Sequence, residues 1–118
     1  MTAPTSSTFT GQTKLFINGE WANASDGATF DTYNPATGEV IARVAHATKD
    51  DVDRAVKSAR KALEKGPWGK MDAADRGKLM FKLADLIEKH AEELARLESL
   101  NCGKTITDSR GDIGGVLN

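Results

Sequence analysis

The side chains that could do chemistry in this chain are few and widely spaced. Cys102 is the only cysteine, and a thiolate is the kind of nucleophile that attacks a carbonyl carbon. Activation of a thiol needs a base or a positive neighbour; Lys104 is near in sequence, whereas no histidine is. His46 and His90 are far apart and have no second ligand at metal-binding spacing. We therefore expect Cys102 to be a structural thiol and both histidines to lie at the surface or at helix ends.

Two glycine-containing stretches resemble phosphate-binding loops but lack the required spacing. Gly103-Lys104-Thr105 has Glu98, a carboxylate that would repel phosphate, where such a loop needs its first glycine. Residues 111–115 read G-D-I-G-G, which is not the G-x-G-x-x-G pattern of a dinucleotide cradle. We expect Gly103 to end a helix and the other glycines to permit a close contact between helices. No catalytic and no cofactor-binding residue is therefore assigned within this chain.

Composition places the chain among ordinary globular proteins. It has 118 residues, of which 39% are hydrophobic and 28% charged, values typical of one soluble domain. Its net charge of −1 offers no electrostatic footprint for nucleic acid or an anionic membrane. No apolar run approaches the roughly 20 residues of a membrane span, and the polar N-terminus is unlike a secretory signal. We expect a cytoplasmic protein without nucleic-acid or membrane partners.

The first part of the chain has the pattern of short antiparallel strands. We predict a disordered leader over residues 1–13 and strands within 14–45. The apolar run at 15–17 is closed by Asn18-Gly19, a strong tight-turn dipeptide. Residues 29–33 are β-branched and aromatic, and a third strand is predicted around Val40, Ile41 and Val44. Three such strands are marginal alone, so we expect them to pack against something else.

The hydrophobic period changes to that of a helix from residue 46 onwards. Thr48 and Asp51 have the spacing of a capping box, and apolar residues then recur every three or four positions, which predicts one apolar stripe. Gly66 and Pro67 are expected to end this first helix.

A second helical pattern follows after Asp72 and runs for close to thirty residues to Gly103. Asp108 or Ser109 could cap a third helix, which has no stop signal before the end of the chain. We therefore expect a truncated element there. The apolar stripes are wider than the strands can cover, which predicts docking onto a larger body.

Four motifs carry a resemblance to a known family. They are F-I-N-G-E-W at 16–21, N-P-A-T-G-E-V at 34–40, R-G-K-L at 76–79 and L-N-C-G-K at 100–104. Each is weak alone, but together they resemble the N-terminal portion of NAD(P)-dependent aldehyde dehydrogenases over nearly the whole chain after the leader. The resemblance implies an α/β fold of antiparallel strands followed by two to three long helices. In the family, these helices flank a dinucleotide-binding domain, here absent from the 118 residues.

The resemblance also implies the chemistry of a parent enzyme. Such an enzyme oxidises an aldehyde to a carboxylic acid with NAD or NADP, through a thiohemiacetal on an active-site cysteine, and a glutamate-activated water then releases the acid. None of these groups falls in this chain, so we expect it to be inactive alone. The implied partners are the remainder of the same enzyme, an aldehyde and further copies in a homo-oligomer.

Two minor sites follow from the same resemblance. Some family members hold a structural monovalent cation through a pair of residues that matches Thr32 and Tyr33, together with a carboxylate. Asn101 stands at the carboxylate position, and a neutral amide weakens cation binding. The last helix has a counterpart at the mouth of the substrate tunnel, where Gly111 and Gly115 would share one face and admit bulky aldehydes.

A second hypothesis belongs to another class of function. The chain could be a non-catalytic helical interaction module, or a scaffold remnant, whose apolar stripes dock on a partner. A module of this kind should end cleanly and fold alone, whereas a fragment should expose strand edges and uncovered helix faces.

Overall fold

A computed structural model of the chain describes residues 9–117. The elements in that range are β1 (Leu15–Ile17), β2 (Glu20–Ala22), β3 (Thr29–Tyr33), β4 (Val40–Ala45), α1 (Lys49–Glu64), α2 (Pro67–Lys70), α3 (Ala73–Lys89), α4 (Ala91–Cys102) and α5 (Ile106–Val116). Their contacts divide them into two compact units. The first contains the four strands with α1 and α2, and the second contains α3 to α5 with the turn Asn34–Glu39. The predicted α/β class, with antiparallel strands followed by helices, is confirmed.

The first unit opens with a tight hairpin. β1 and β2 pair antiparallel, with Phe16 opposite Trp21 and their ring centroids 4.7 Å apart. Asn18 (φ 55°) and Gly19 (φ 80°) both have positive φ, as a two-residue hairpin turn requires. This turn is confirmed, but the prediction of three strands was wrong, since Trp21 lies in a fourth. A strand of three residues is too short to show the alternation by which strands are recognised.

The second hairpin of this unit contributes two buried apolar residues. β3 and β4 pair antiparallel, and their register shifts between Thr32 and Tyr33. Ile41 and Ala42 of β4 are buried. The Arg43 guanidinium donates to the Asp31 carboxylate across the strands at 2.9 Å. Most of the leader predicted over residues 1–13 lies outside the described residues.

Helix α1 begins as the sequence indicates. Thr48 is its N-cap, and the capping box with Asp51 is complete. The helix ends at Glu64 with Lys65 as its C-cap, so Gly66 and Pro67 follow the helix end in the expected order. Gly66 is needed there for space, because a Cβ would lie 2.6 Å from the Ala62 carbonyl oxygen. Pro67 opens the short helix α2, a position that suits its missing N–H.

In the second unit, the single long helix predicted from Asp72 to Gly103 is interrupted at His90. This residue has φ −106° and ψ 14°, and it separates α3 from α4. The prediction was wrong because no glycine or proline marks the break, so the apolar period runs through it. Gly103 ends α4 as expected, with φ 75°. A Cβ on Gly103 would also lie 2.7 Å from Cγ of Pro35, in the turn that packs here.

Helix α5 begins earlier than the sequence suggested. Its N-cap is Thr105, whose hydroxyl accepts the backbone N–H of Asp108 at 3.1 Å. Asp108 therefore lies in the first turn, and Ser109 is buried inside the helix. Neither is the cap, because Thr105 offers an equivalent oxygen three residues before Asp108. The predicted truncation at the chain end involves Asn118, which lies outside the described residues.

The apolar stripes of the helices stay largely open to solvent. Val52 and Val56 of α1 are 52% and 60% exposed, and Leu79 and Leu83 of α3 are 44% and 48% exposed. The buried apolar residues among 9–117 are Ile41 and three alanines, Ala24, Ala42 and Ala95. No helix of the described part is long and apolar enough to cross a membrane.

Candidate functional site

The predicted cation residues Thr32 and Tyr33 lie at the end of β3. Thr32 is half-buried, and its hydroxyl donates to the Ala42 carbonyl oxygen at 3.4 Å. Tyr33 is 55% exposed. The register shift between these two residues breaks the regular ladder at this point. An irregular strand end of this kind can turn backbone oxygens away from the ladder.

Asn101, the third predicted cation residue, lies in the last turn of α4 and is exposed. It belongs to the second unit, whereas Thr32 and Tyr33 belong to the first. The three-residue cation site therefore stays a prediction. Among residues 9–117, no group of three or more His, Cys, Asp or Glu side chains could hold a metal ion.

The glycines of α5 lie on open faces of the helix. Gly111 and Gly115 are both exposed. A Cβ built on Gly111, Gly114 or Gly115 would meet no heavy atom of a described neighbour within 4 Å. The expectation that these glycines serve a close helix contact was therefore wrong for the part of the chain that the structure describes.

The position of α5 is set by contacts with α4 that sequence reasoning missed. Ser109 is fully buried, and its Oγ lies 2.9 Å from Oγ of Ser99. Arg110 donates through Nε and Nη2 to the two oxygens of Glu92, each at 2.9 Å, and Arg96 donates to the same carboxylate. The hydrogen bonds from Arg110 above all lower the pKa of Glu92. Partners 10 and 18 residues apart have no short-range sequence signal.

In the Gly103-Lys104-Thr105 stretch, which resembles a phosphate-binding loop, the lysine side chain contacts two carboxylates. Lys104 forms a hydrogen-bonded ion pair with Asp112 and lies 3.4 Å from the Glu98 carboxylate. The hydrogen bond with Asp112 is the main cause that raises the pKa of Lys104. Residues 111–115 lie inside α5 rather than in a loop. The backbone N–H groups of residues 111–115 therefore belong to a helix and do not form a dinucleotide-binding loop.

The lone nucleophile and the histidines have simple surroundings. Cys102 is a free, exposed thiol at the last position of α4, so it is not packed in a core of the described residues. His90 lies 3.2 Å from the Glu93 carboxylate. The His46 ring meets Phe30 edge-on, with centroids 5.7 Å apart. These groups lie apart from one another in sequence and do not form a catalytic constellation with any residue named above.

The carboxylate of Asp51 is fully buried and accepts several hydrogen bonds. It accepts the backbone N–H groups of Ser25 and Thr48, each at 3.0 Å, and Nη2 of Arg54 at 2.7 Å. The two backbone hydrogen bonds are the largest causes that lower its pKa. The capping box predicted the bond with Thr48, but nothing in the sequence pointed to Ser25.

Together, these features define a class of protein. The described residues form an α/β segment of short antiparallel strands followed by helices, with capped helix ends, ion pairs and open apolar faces.

Comparison with known proteins specifies the class further. Residues 21–118 match the aldehyde dehydrogenase family. A cytosolic aldehyde dehydrogenase of Elephantulus edwardii is 54% identical over 98 residues, which cover 82% of this chain and 20% of that protein. The mitochondrial aldehyde dehydrogenase of Rattus norvegicus is 54% identical over 92 residues, covering 77% and 18%.

Solved structures show the same likeness. The NAD+ complex of an aldehyde dehydrogenase from Bacillus cereus superposes with a TM-score of 0.86 at 51% identity, covering 91% of this chain and 22% of that one. This chain belongs to the aldehyde dehydrogenase family and corresponds to an N-terminal portion of it. It spans about a fifth of the length of the curated relatives it matches.

Proposed function

We propose that this chain is the N-terminal scaffold segment of an NAD(P)-dependent aldehyde dehydrogenase that oxidises an aldehyde to a carboxylic acid. The observation that carries the proposal is the identity of 54% to relatives of which the chain spans only about a fifth. In this proposal the cysteine that forms the thiohemiacetal, and the glutamate that activates water, belong to the remainder of the same enzyme. The chain alone is then inactive.

The contribution of this segment is structural. The half-exposed apolar residues of α1 and α3 would be buried against the remainder of the enzyme. Burial of apolar surface stabilises by about 25 cal/mol for each Å² removed from water, so these stripes can join the segment firmly to a larger body.

Neither glycine-containing stretch of the described residues supports a bound dinucleotide. Lys104 is held by Asp112 and Glu98, and the glycines at 111–115 are helical. NAD or NADP would therefore be bound entirely by residues of the remaining polypeptide. Helices α4 and α5 supply a surface on which one helix is held against the other. The Arg110–Glu92 ion pair and the hydrogen bond of the buried Ser109 make these contacts.

Two finer roles belong to the same proposal. Gly111 and Gly115 would widen the mouth of the substrate tunnel and admit bulky aldehydes, which their open surroundings support.

Thr32, Tyr33 and Asn101 would hold a structural monovalent cation weakly. In that case, Asn101→Asp should increase the stabilisation of the enzyme by K+, whereas Asn101→Ala should abolish it. We also propose a cytoplasmic homo-oligomer.

The first experiment is to read the coding sequence downstream of Asn118 and to assay the encoded polypeptide. Formation of reduced nicotinamide from NAD or NADP with a panel of small and bulky aldehydes is measured by absorbance. The 118-residue chain alone is the control and should be inactive. A polypeptide that oxidises none of the aldehydes, or an immediate stop codon, would refute the enzyme and favour the non-catalytic interaction module.

A further inference from the structure

A groove lies between the β1–β2 hairpin and α1, within the first unit. We call it the hairpin groove; its volume is about 400 Å³, which is within the range of small-molecule sites. Its polar lining residues are Asn18, Glu20, Arg54, Lys57, Ser58 and Lys61.

The secondary structure explains why cations gather on one wall of the groove. Arg54, Lys57 and Lys61 are spaced by three and four residues, so they lie on one face of α1. On the opposite wall, Glu20 pairs with Ile17 across the hairpin, and directly opposed residues share a face of a sheet. Ile17 and Ala22 supply the apolar part of the lining.

Two of the three cations lack a counter-ion. Arg54 donates to the buried carboxylate of Asp51 at 2.7 Å. Within residues 9–117, neither Lys57 nor Lys61 has a carboxylate oxygen within 4.0 Å of its ammonium group. Glu20 is the only carboxylate that lines the groove. The groove thus has two uncompensated positive charges facing a single negative one.

Of the two neutral polar side chains, Asn18 adds to this excess of donors. Ser58 donates its hydroxyl to Oδ1 of Asn18 at 3.1 Å. The hydroxyl proton and one amide oxygen are therefore already used, and the Asn18 amide nitrogen remains as a donor of two hydrogens. Lys57, Lys61 and the Asn18 amide nitrogen therefore favour a ligand that carries acceptor oxygens and a negative charge, and Glu20 opposes part of that charge. Phosphate, with its acceptor oxygens, has this chemistry.

We propose that the hairpin groove binds a phosphate-class anion, either free phosphate or the phosphate group of a small ester. Lys57 and Lys61 supply the charge, and the amide of Asn18 supplies an orienting hydrogen bond. The apolar surface of Ile17 and Ala22 offers room for the body of an ester. This site is independent of the proposed dehydrogenase activity.

The proposal is tested by equilibrium dialysis with inorganic phosphate at low ionic strength, where exposed charges are least screened. The polypeptide is used as its gene encodes it, with saturating NAD so that any dinucleotide site is blocked. We expect saturable binding that weakens roughly tenfold in the Lys57→Gln/Lys61→Gln variant, since each exposed charge contributes a few-fold. Glu20→Gln should tighten binding roughly threefold for the same reason.

The matched control is Lys82→Gln/Lys89→Gln on α3, which removes the same charge elsewhere and should leave binding unchanged. Equal binding by the wild type and the Lys57/Lys61 variant would overturn the proposal. An equal loss in both double variants would overturn it too, because net charge alone would then explain the effect. Phenyl phosphate separates the two sources: tighter binding than phosphate assigns the groove to esters, and equal binding assigns it to the free anion.

Discussion

The carboxylate of Asp51 joins the start of α1 to the backbone of Ser25, 26 residues earlier in the chain, through a hydrogen bond of 3.0 Å from the Ser25 N–H. The same carboxylate caps the helix through Thr48 and accepts from Arg54. One buried group therefore holds together a loop, a helix end and a surface cation. Buried carboxylates are tolerated only when such partners compensate them.

Asp51→Asn should destabilise the first unit strongly. The amide cannot accept all of these bonds, and it places donors next to donors in a buried site. We expect the thermal midpoint to fall by roughly 10 °C, measured by circular dichroism. Asp50→Asn is the matched control, because Asp50 is exposed in the same turn and should change the midpoint little. If the two variants lowered the thermal midpoint equally, the loss of a negative charge near the helix dipole would explain the effect, and the buried hydrogen bonds of Asp51 would not.

The ion pair between Glu92 and Arg110 predicts a pH dependence of stability. Because the pKa of Glu92 is lowered in the folded state, its contribution is present above the unfolded pKa and lost as pH falls through the folded pKa. Glu92→Gln should therefore destabilise the chain at neutral pH and flatten the acid limb of the stability profile. Urea unfolding at several pH values measures this. Glu88→Gln, at an exposed position, should leave the acid limb as steep as in the wild type.

Gly103→Ala should destabilise the end of α4. Gly103 has a positive φ of 75°, and a Cβ at this position would lie too close to Pro35. Strain of this kind costs about 2 kcal/mol. Gly77→Ala is the control, because Gly77 lies inside α3 with open space around its Cα; it should stabilise the chain by about 1 kcal/mol. Chemical denaturation gives both values. Adding Pro35→Ala should recover part of the loss, and a Gly103→Ala variant as stable as the wild type would contradict the strain.

Gly111→Ala and Gly115→Ala separate folding from substrate selection. Their open surroundings predict that alanine stabilises α5 by about 1 kcal/mol at each position. In the proposed enzyme, the same changes should raise KM for bulky aldehydes and leave KM for small ones unchanged. Steady-state kinetics with paired substrates decides this. A uniform change in KM for both sizes would remove these glycines from the tunnel, and a loss of stability would show that a neighbour packs on them.

Predictions from the sequence were correct where a structural feature depends only on neighbouring residues. The Asn18-Gly19 turn, the capping box of Thr48 and Asp51, and the positive φ of Gly103 each depend on a few adjacent residues. The resemblance to the family was also predicted from motifs, and those at 34–40, 76–79 and 100–104 lie within the match to residues 21–118. Predictions were wrong where more than one nearby residue could fill the same role. Thr105 caps α5, whereas Asp108 or Ser109 was predicted to do so.

The amino-acid sequence by itself determined the class of fold, the main caps and turns, and membership of the family, because these follow from the conformations and motifs of neighbouring residues. The tertiary structure alone decided which distant groups pair: Ser25 with Asp51, Ser99 with Ser109, and Glu92 with Arg110. It also decided that the helix breaks at His90. The reason is physical: a side chain can pair with many equivalent partners along a chain, and only packing selects the one that comes within hydrogen-bonding distance.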